Sequence, residues 1–391
     1  MNEHADEPIK ARSWMTPMRA RSKDERHRVS TPLELFFDLV FVIAVSQDAS
    51  ALHHGIAEGH AAAAIFSFSV LFFAIWWAWV NFTWFASAYD TDDVPYRLLV
   101  FVQLSGALII AAGVQQGFAG QFSTVAIGYL VMRLAGVVQW LRAAHSNPEH
   151  RTTAYRYAIG ISIVQALWLA RLALPETWQL VGLVTLILAE LAVPVWAERA
   201  NTAFWHAEHI AERYGLFTII VLGESLLSGL LAIQSAMQTG DLTGELTTTI
   251  IGGLLMVFSM WWLYFDLPAH GLLTSLRTAF VWGYGHLLVF ASAAAVGAGL
   301  AVVVDYTTHH SEIGPVGAGA AVAIPAALYL LSLWVLHERP RATSLAEASL
   351  APVTVLLILL TPFSGQPVLL TGLLLSTLLA IKLIGRQRSG V

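Results

Sequence analysis

The sequence predicts an all-α fold: a polytopic membrane protein of about twelve transmembrane helices, arranged as two parallel six-helix repeats. Three observations lead there. Apolar residues make up 57% of the 391 and charged residues 12%, with a mean hydropathy of +0.65, whereas a soluble domain usually carries about 25% charge. Apolar segments fill the chain between Leu33 and Leu383, each near the ~20 residues that a ~30 Å hydrocarbon core requires. Basic residues gather in alternate loops. Hydrocarbon offers the backbone no water to bond, so the spans are helical.

The elements follow in order. The first segment, 33–52, is preceded by Ser30 and Thr31, either of which caps a helix, and by Pro32, which suits a first turn. The second, 62–88, holds the aromatic stretch from Trp76 to Trp84, read as packing or lipid contact. Segments 96–115 and 122–144 follow, the latter with Arg133 and Gln139 inside it. Then come 154–172 and 177–197, the latter with Glu190. The seventh, 207–232, opens on a run of ionisable residues. The eighth, 246–265, ends on Trp261-Trp262-Leu263-Tyr264-Phe265-Asp266, just before Pro268. The ninth, 278–304, contains His286, and 315–336, 347–363 and 366–384 complete the set. Many of the 14 tryptophans lie near segment ends, where indole rings anchor at the interface.

Lys and Arg set the orientation. The first thirty residues hold Lys10, Arg12, Arg19, Arg21, Lys23, Arg26 and Arg28. Loops on that side add Arg97, Arg142, Arg151, Arg156, Arg199, Arg277, Arg339 and Arg341, and the C-terminal tail adds Lys382, Arg386 and Arg388. The opposite side keeps only Arg171. Both termini are therefore expected in the cytoplasm. The segment 1–30 has no apolar core and reads as a basic tail rather than a cleaved signal peptide. No cysteine is present, which excludes disulfides and thiolate chemistry. The net charge of -5 gives no sign of nucleic acid.

The halves resemble each other. Trp76-Trp77-Ala78-Trp79-Val80-Asn81 parallels Trp261 to Asp266, Leu98-Leu99-Val100-Phe101 parallels Leu287-Leu288-Val289-Phe290, and Glu34 and Glu212 open the first helix of each half. The expected organisation is a basic tail over 1–30, repeats over 31–200 and 201–385, and a short tail over 386–391. Six crossings per unit give both repeats the same orientation.

Ionisable residues inside a span cost at least ~2.5–3.5 kcal/mol at mid-membrane, so they face an interior and have partners. Glu34 and Asp38 share one face of the first helix, and two carboxylates so placed call for a cation, a proton or an arginine between them. His209, Glu212 and Arg213 share a face of the seventh helix; Glu224 lies twelve residues past Glu212, about 18 Å along the axis. Arg133, Asp266 and His286 complete the candidates, Arg133 being expected to pair with a carboxylate. These nine residues are read as a transport path or a buried charge network. Catalytic residues are not assigned. His206-Ala207-Glu208-His209 has neither zincin spacing, and Gly223-Glu224-Ser225 is not a nucleophile elbow. A metal on the His/Glu cluster stays an alternative, and no cofactor is implied.

Thr31-Pro32-Leu33-Glu34-Leu35-Phe36-Phe37-Asp38-Leu39-Val40-Phe41-Val42, the run from Glu212 to Ser225 and Trp261 to Asp266 together resemble the bacterial low temperature requirement protein A (LtrA) family. The resemblance covers nearly the whole chain after the tail. It implies a polytopic membrane protein associated with growth in the cold and supplies no biochemical activity. The physical reading favours an ion- or proton-coupled transporter or permeation protein in the inner (plasma) membrane. The alternatives are a sensor or structural protein whose charges hold helices together, and a membrane enzyme acting on a lipid head group. The partners expected are the bilayer, a small ion or solute and, left open, further copies in a homo-oligomer.

Overall fold

The computed structural model describes residues 14–21, 29–201, 205–239, 244–342 and 344–389. Among them the regular structure is helical throughout: α1 (Pro32–Ala57), α2 (Ala61–Tyr89), α3 (Val94–Phe118), α4 (Ser123–Ser146), α5 (Arg151–Arg171), α6 (Glu176–Glu198), α7 (Ala207–Thr239), α8 (Gly244–Phe265), α9 (Leu276–Thr307), α10 (Pro315–Leu333), α11 (Leu345–Leu360) and α12 (Pro367–Ser389). One helix occupies each apolar segment. Eleven are long and apolar enough to cross a membrane. The exception is α5, whose first two turns carry Arg151, Thr152, Thr153 and Arg156. Past α10 the chain widens into a π-helical turn, Trp334–Glu338. Of the basic tail, Lys10, Arg12, Lys23, Arg26 and Arg28 lie outside the described residues.

The polarity is inverted relative to a water-soluble bundle. Leu35, Phe36, Leu39 and Ile43 on α1, Phe258 and Trp261 on α8, and Leu356 and Leu360 on α11 are exposed, while Glu34, Asp38, Arg133, Glu190, His209 and Arg213 are buried. Continuous apolar faces of this extent mark a lipid-facing surface. This is an all-helical polytopic membrane protein.

The chain falls into two compact units. One comprises 1–26, 84–106 and 130–205; the other comprises 27–83, 107–129 and 206–391. In the first, α5 packs on α6, and Trp140 stacks on Tyr157 at 4.0 Å while meeting Phe85 and Tyr89 edge-on. Asp93 anchors this unit at the start of α3. It accepts from the backbone N–H of Thr16 and of Tyr96, each at 2.9 Å, and from Arg142 at 2.7 Å. Burial pushes the Asp93 carboxyl up, but these donors outweigh it and hold the group below the usual carboxylate range.

In the second unit α9 is the central helix: 78% of its apolar stretch is buried, against 33% for α11 or α12. Helices α1, α7 and α10 pack on it. Two glycines allow the close approach. A Cβ on Gly297 would meet the Ser225 Cα of α7 at 2.7 Å, and one on Gly299 would meet the Ala321 carbonyl oxygen of α10 at 2.1 Å. Small residues draw helices together where lipid gives no hydrophobic drive between them. Ser225 Oγ adds an interhelical hydrogen bond to the Ala293 carbonyl at 2.8 Å. Tyr214 faces His286 a few turns earlier, at 5.0 Å between rings, so α7 and α9 run parallel.

Candidate functional site: a buried charge cluster

The cluster begins with the cap of α1. Thr31 Oγ1 accepts from the Glu34 N–H at 3.3 Å, and the Thr31 N–H donates to Glu34 Oε2 at 2.8 Å. This reciprocal capping box uses one carboxylate oxygen of Glu34. The other, Oε1, faces α7: Arg213 Nη1 and His209 Nε2 both approach it to 3.0 Å. These are ion-pair distances without hydrogen-bond alignment. One turn along α1, Asp38 receives Arg213 side-on, Nε reaching Oδ2 at 3.2 Å and Nη2 reaching Oδ1 at 2.5 Å. The Trp79 indole N–H of α2 donates to the same Oδ1 at 2.7 Å. Asp38, His209 and Arg213 have no accessible surface.

The geometry follows from local sequence. The i, i+4 spacing puts Glu34 and Asp38 on the buried face of α1, and the same spacing puts His209 and Arg213 on the buried face of α7. The planar guanidinium is suited to serving two carboxylates at once. Aromatic groups close the site. Trp79 stacks on Phe217 at 4.4 Å and meets Phe290 edge-on at 5.7 Å, and Arg213 lies 5.8 Å from the Phe82 ring centre.

Other candidates lie elsewhere. Glu212 is half-buried at the edge of the cluster, where it accepts from the Ser30 N–H at 3.2 Å. Glu224 is half-buried, beside exposed Gly223, with the Ser228 hydroxyl 3.4 Å away. Arg133 pairs with Glu190 at 2.8 Å in the other compact unit, where Gln165 also donates to that carboxylate at 2.9 Å. Asp266 pairs with Arg386, whose Nη1 donates at 2.7 Å. His286 places Nδ1 2.7 Å from the Trp282 carbonyl and Nε2 3.1 Å from the Tyr264 hydroxyl. A carbonyl only accepts, so Nδ1 carries the proton and Nε2 accepts from tyrosine. Among the described residues, no group of three or more His, Asp or Glu is arranged to hold a metal ion.

Sequence reasoning missed Trp79 as a cluster member. Its signal was present: the Trp76-to-Trp84 stretch is too long to be an interfacial belt, and Trp76, Trp77 and Trp79 are fully buried. It also left Asp48, toward the far end of α1, out of the candidate residues.

The sequence pattern of the family described as bacterial low temperature requirement A protein (LtrA) matches residues 29–384. This chain belongs to the LtrA family. A relative from Rhizobium meliloti (strain 1021), described as an uncharacterized protein, is 30% identical over 254 residues, which is 63% of this chain and 60% of the relative. The match thus spans well under two thirds of that relative's length. No solved structure matches. The matched stretch includes both halves of the buried cluster, Glu34 and Asp38 on α1 and His209 and Arg213 on α7.

The arrangement has a chemical consequence. Two carboxylates face one guanidinium and one imidazole. With His209 neutral the four groups sum to one negative charge; with one more proton they sum to zero. A buried net charge is strongly disfavoured, so the protonation of these four groups decides whether this site is neutral.

Proposed function

We propose that this LtrA-family protein moves protons, or a small ion coupled to protons, across the inner membrane, with the Glu34–Asp38–His209–Arg213 cluster as its proton-responsive centre. The observation that carries the reading is the odd charge count: two buried acids share one arginine, so the fourth group must take up or release a proton for the site to change state. Glu212, at the rim of the cluster, is the candidate exchange group on the cytoplasmic side. The proposal keeps both termini in the cytoplasm and the two parallel repeats, 31–200 and 201–385.

The test is flux into liposomes holding the purified protein, across a panel of protons, monovalent and divalent cations and small solutes at several pH values. Flux above empty liposomes, with a pH profile that His209→Gln flattens, is the expected result. No flux for any member of the panel would leave the charges as a helix-holding network. That second reading has its own support in the full satisfaction of Asp38 by Arg213 and Trp79. Tags at either terminus should be protected outside the cell, and a tag between α7 and α8, where residues 240–243 lie outside the described set, should be accessible.

A further inference from the structure

Asp48 stands apart from the other buried acids among the described residues. It lies on α1 ten residues past Asp38, about 15 Å further along the axis, and has no accessible surface. Neither of its carboxylate oxygens has a hydrogen-bond partner among the described residues. No cation comes within ion-pair distance of it there either, in contrast to Asp38 and Glu34.

Its position is defined by what lies on either side. Toward the cluster, α1 contributes Phe41 and Val45, α7 contributes Phe217 and Val221, and α9 contributes Phe290, all buried. This apolar layer separates Asp48 from Arg213. In the other direction, five residues along, His53 Nε2 meets Asp305 Oδ2 of α9 at 2.7 Å, and both side chains are partly exposed. The ionisable groups on α1 and on the helices packed against it are Glu34, Asp38, His53 and His54 on α1 itself, Glu208, His209, Glu212, Arg213 and Glu224 on α7, and Arg277, His286 and Asp305 on α9. None makes an ion pair or hydrogen bond with Asp48. Helix α2 carries no charged residue at all.

An ionised carboxylate in such surroundings would lose several kcal/mol of hydration with nothing in return. A carboxylic acid is neutral and far cheaper to bury. We propose that Asp48 is a second proton-binding site of the same path, loaded as the neutral acid and separated from the inner cluster by the Phe41–Phe217–Phe290 layer. When it discharges, its O–H bond breaks, the proton passes to water at the mouth beside His53 and Asp305, and the carboxylate stays behind. This inference rests on the transport reading for its purpose, though not for its protonation.

The experiment separates the two. The intact protein in liposomes is treated with a hydrophobic carbodiimide, which adds across the O–H of a buried carboxylic acid and spares carboxylates, and the adduct is mapped by mass spectrometry. The expected adduct sits on Asp48, declines as pH rises and disappears in Asp48→Asn. Difference infrared spectra should show a protonated-carboxyl C=O band that Asp48→Asn removes. In the flux assay the same substitution, isosteric and neutral like the acid, should abolish proton movement while the unfolding temperature is kept. Absence of both adduct and band in the wild-type protein overturns the proposal whether or not flux is seen. An adduct and band on Asp48 without flux uphold the proton site and remove the transport reading. Adduct and band with flux that Asp48→Asn leaves unchanged overturn its place in the path.

Discussion

Two buried ion pairs, one in each compact unit, use the same chemistry and differ by one charge. Arg133 pairs with Glu190, whose other oxygen is bonded by Gln165. That set is neutral as it stands. Arg213 faces two acids, Glu34 and Asp38, with His209 as the fourth member. That set is neutral only with an added proton. The first can hold helices together without a change of charge; in the proposed function the second changes charge as its proton moves. A buried salt bridge is thus weak evidence for function, and an unbalanced one is much stronger.

The comparison breaks first at the arginines. Removing one partner of a buried pair typically costs about 3–5 kcal/mol. Arg213→Gln should reach the upper end or prevent folding, since it strands two carboxylates, and Arg133→Gln should fall at the lower end because Gln165 still serves Glu190. Thermal unfolding of the two variants in detergent gives the order, and the reverse order would refute the charge count. Next, Arg133→Met combined with Glu190→Leu should recover most of the single-variant loss, leaving about 1–3 kcal/mol for the unpaired Gln165 amide. Arg213→Met with Asp38→Leu should recover less, because Trp79 and Glu34 lose partners too. If the two double variants behave alike, the clusters are equivalent scaffolds.

Much of this was legible in the sequence. The twelve segments, the sharing of a face by Glu34 and Asp38, and by His209 and Arg213, follow from apolar length and i, i+4 spacing alone. The pairing did not follow. Nothing in the spacing tells Arg133 to choose Glu190 or Arg213 to choose the α1 carboxylates, because pairing depends on which helices touch.

Smaller effects sharpen the contrast. His209→Gln should leave stability within about 1 kcal/mol, as for loss of one hydrogen-bonding group, while flattening the pH profile of flux. A variant with an unchanged profile would move the proton elsewhere. The smallest effect belongs to Asp93, an acid outside the spans. Its folded-state pKa is lowered by Thr16, Tyr96 and Arg142 against the push of burial. The stability it contributes is therefore present above the unfolded value, near 3.8, and is lost as pH falls through the lower folded value. Asp93→Asn should lower stability at neutral pH by that contribution and remove the acid limb of the stability curve, so that variant and wild type converge as pH falls. An equal gap between variant and wild type at every pH would show that the Asp93 carboxylate is not the group that titrates.

The sequence by itself determined the solvent, the number of helices, the start signal of α1 and the faces on which charges would be buried. Those depend on local periodicity and on the length of apolar runs, which are written residue by residue. Only the tertiary structure decided which acid met which base, that Trp79 would complete the Asp38 site, and that Asp48 would be left with no partner among the described residues. Those depend on residues far apart in the chain arriving at the same depth. In a membrane every long helix is apolar enough to pack against any other, and the few close approaches, such as Gly297 on Ser225, select among them.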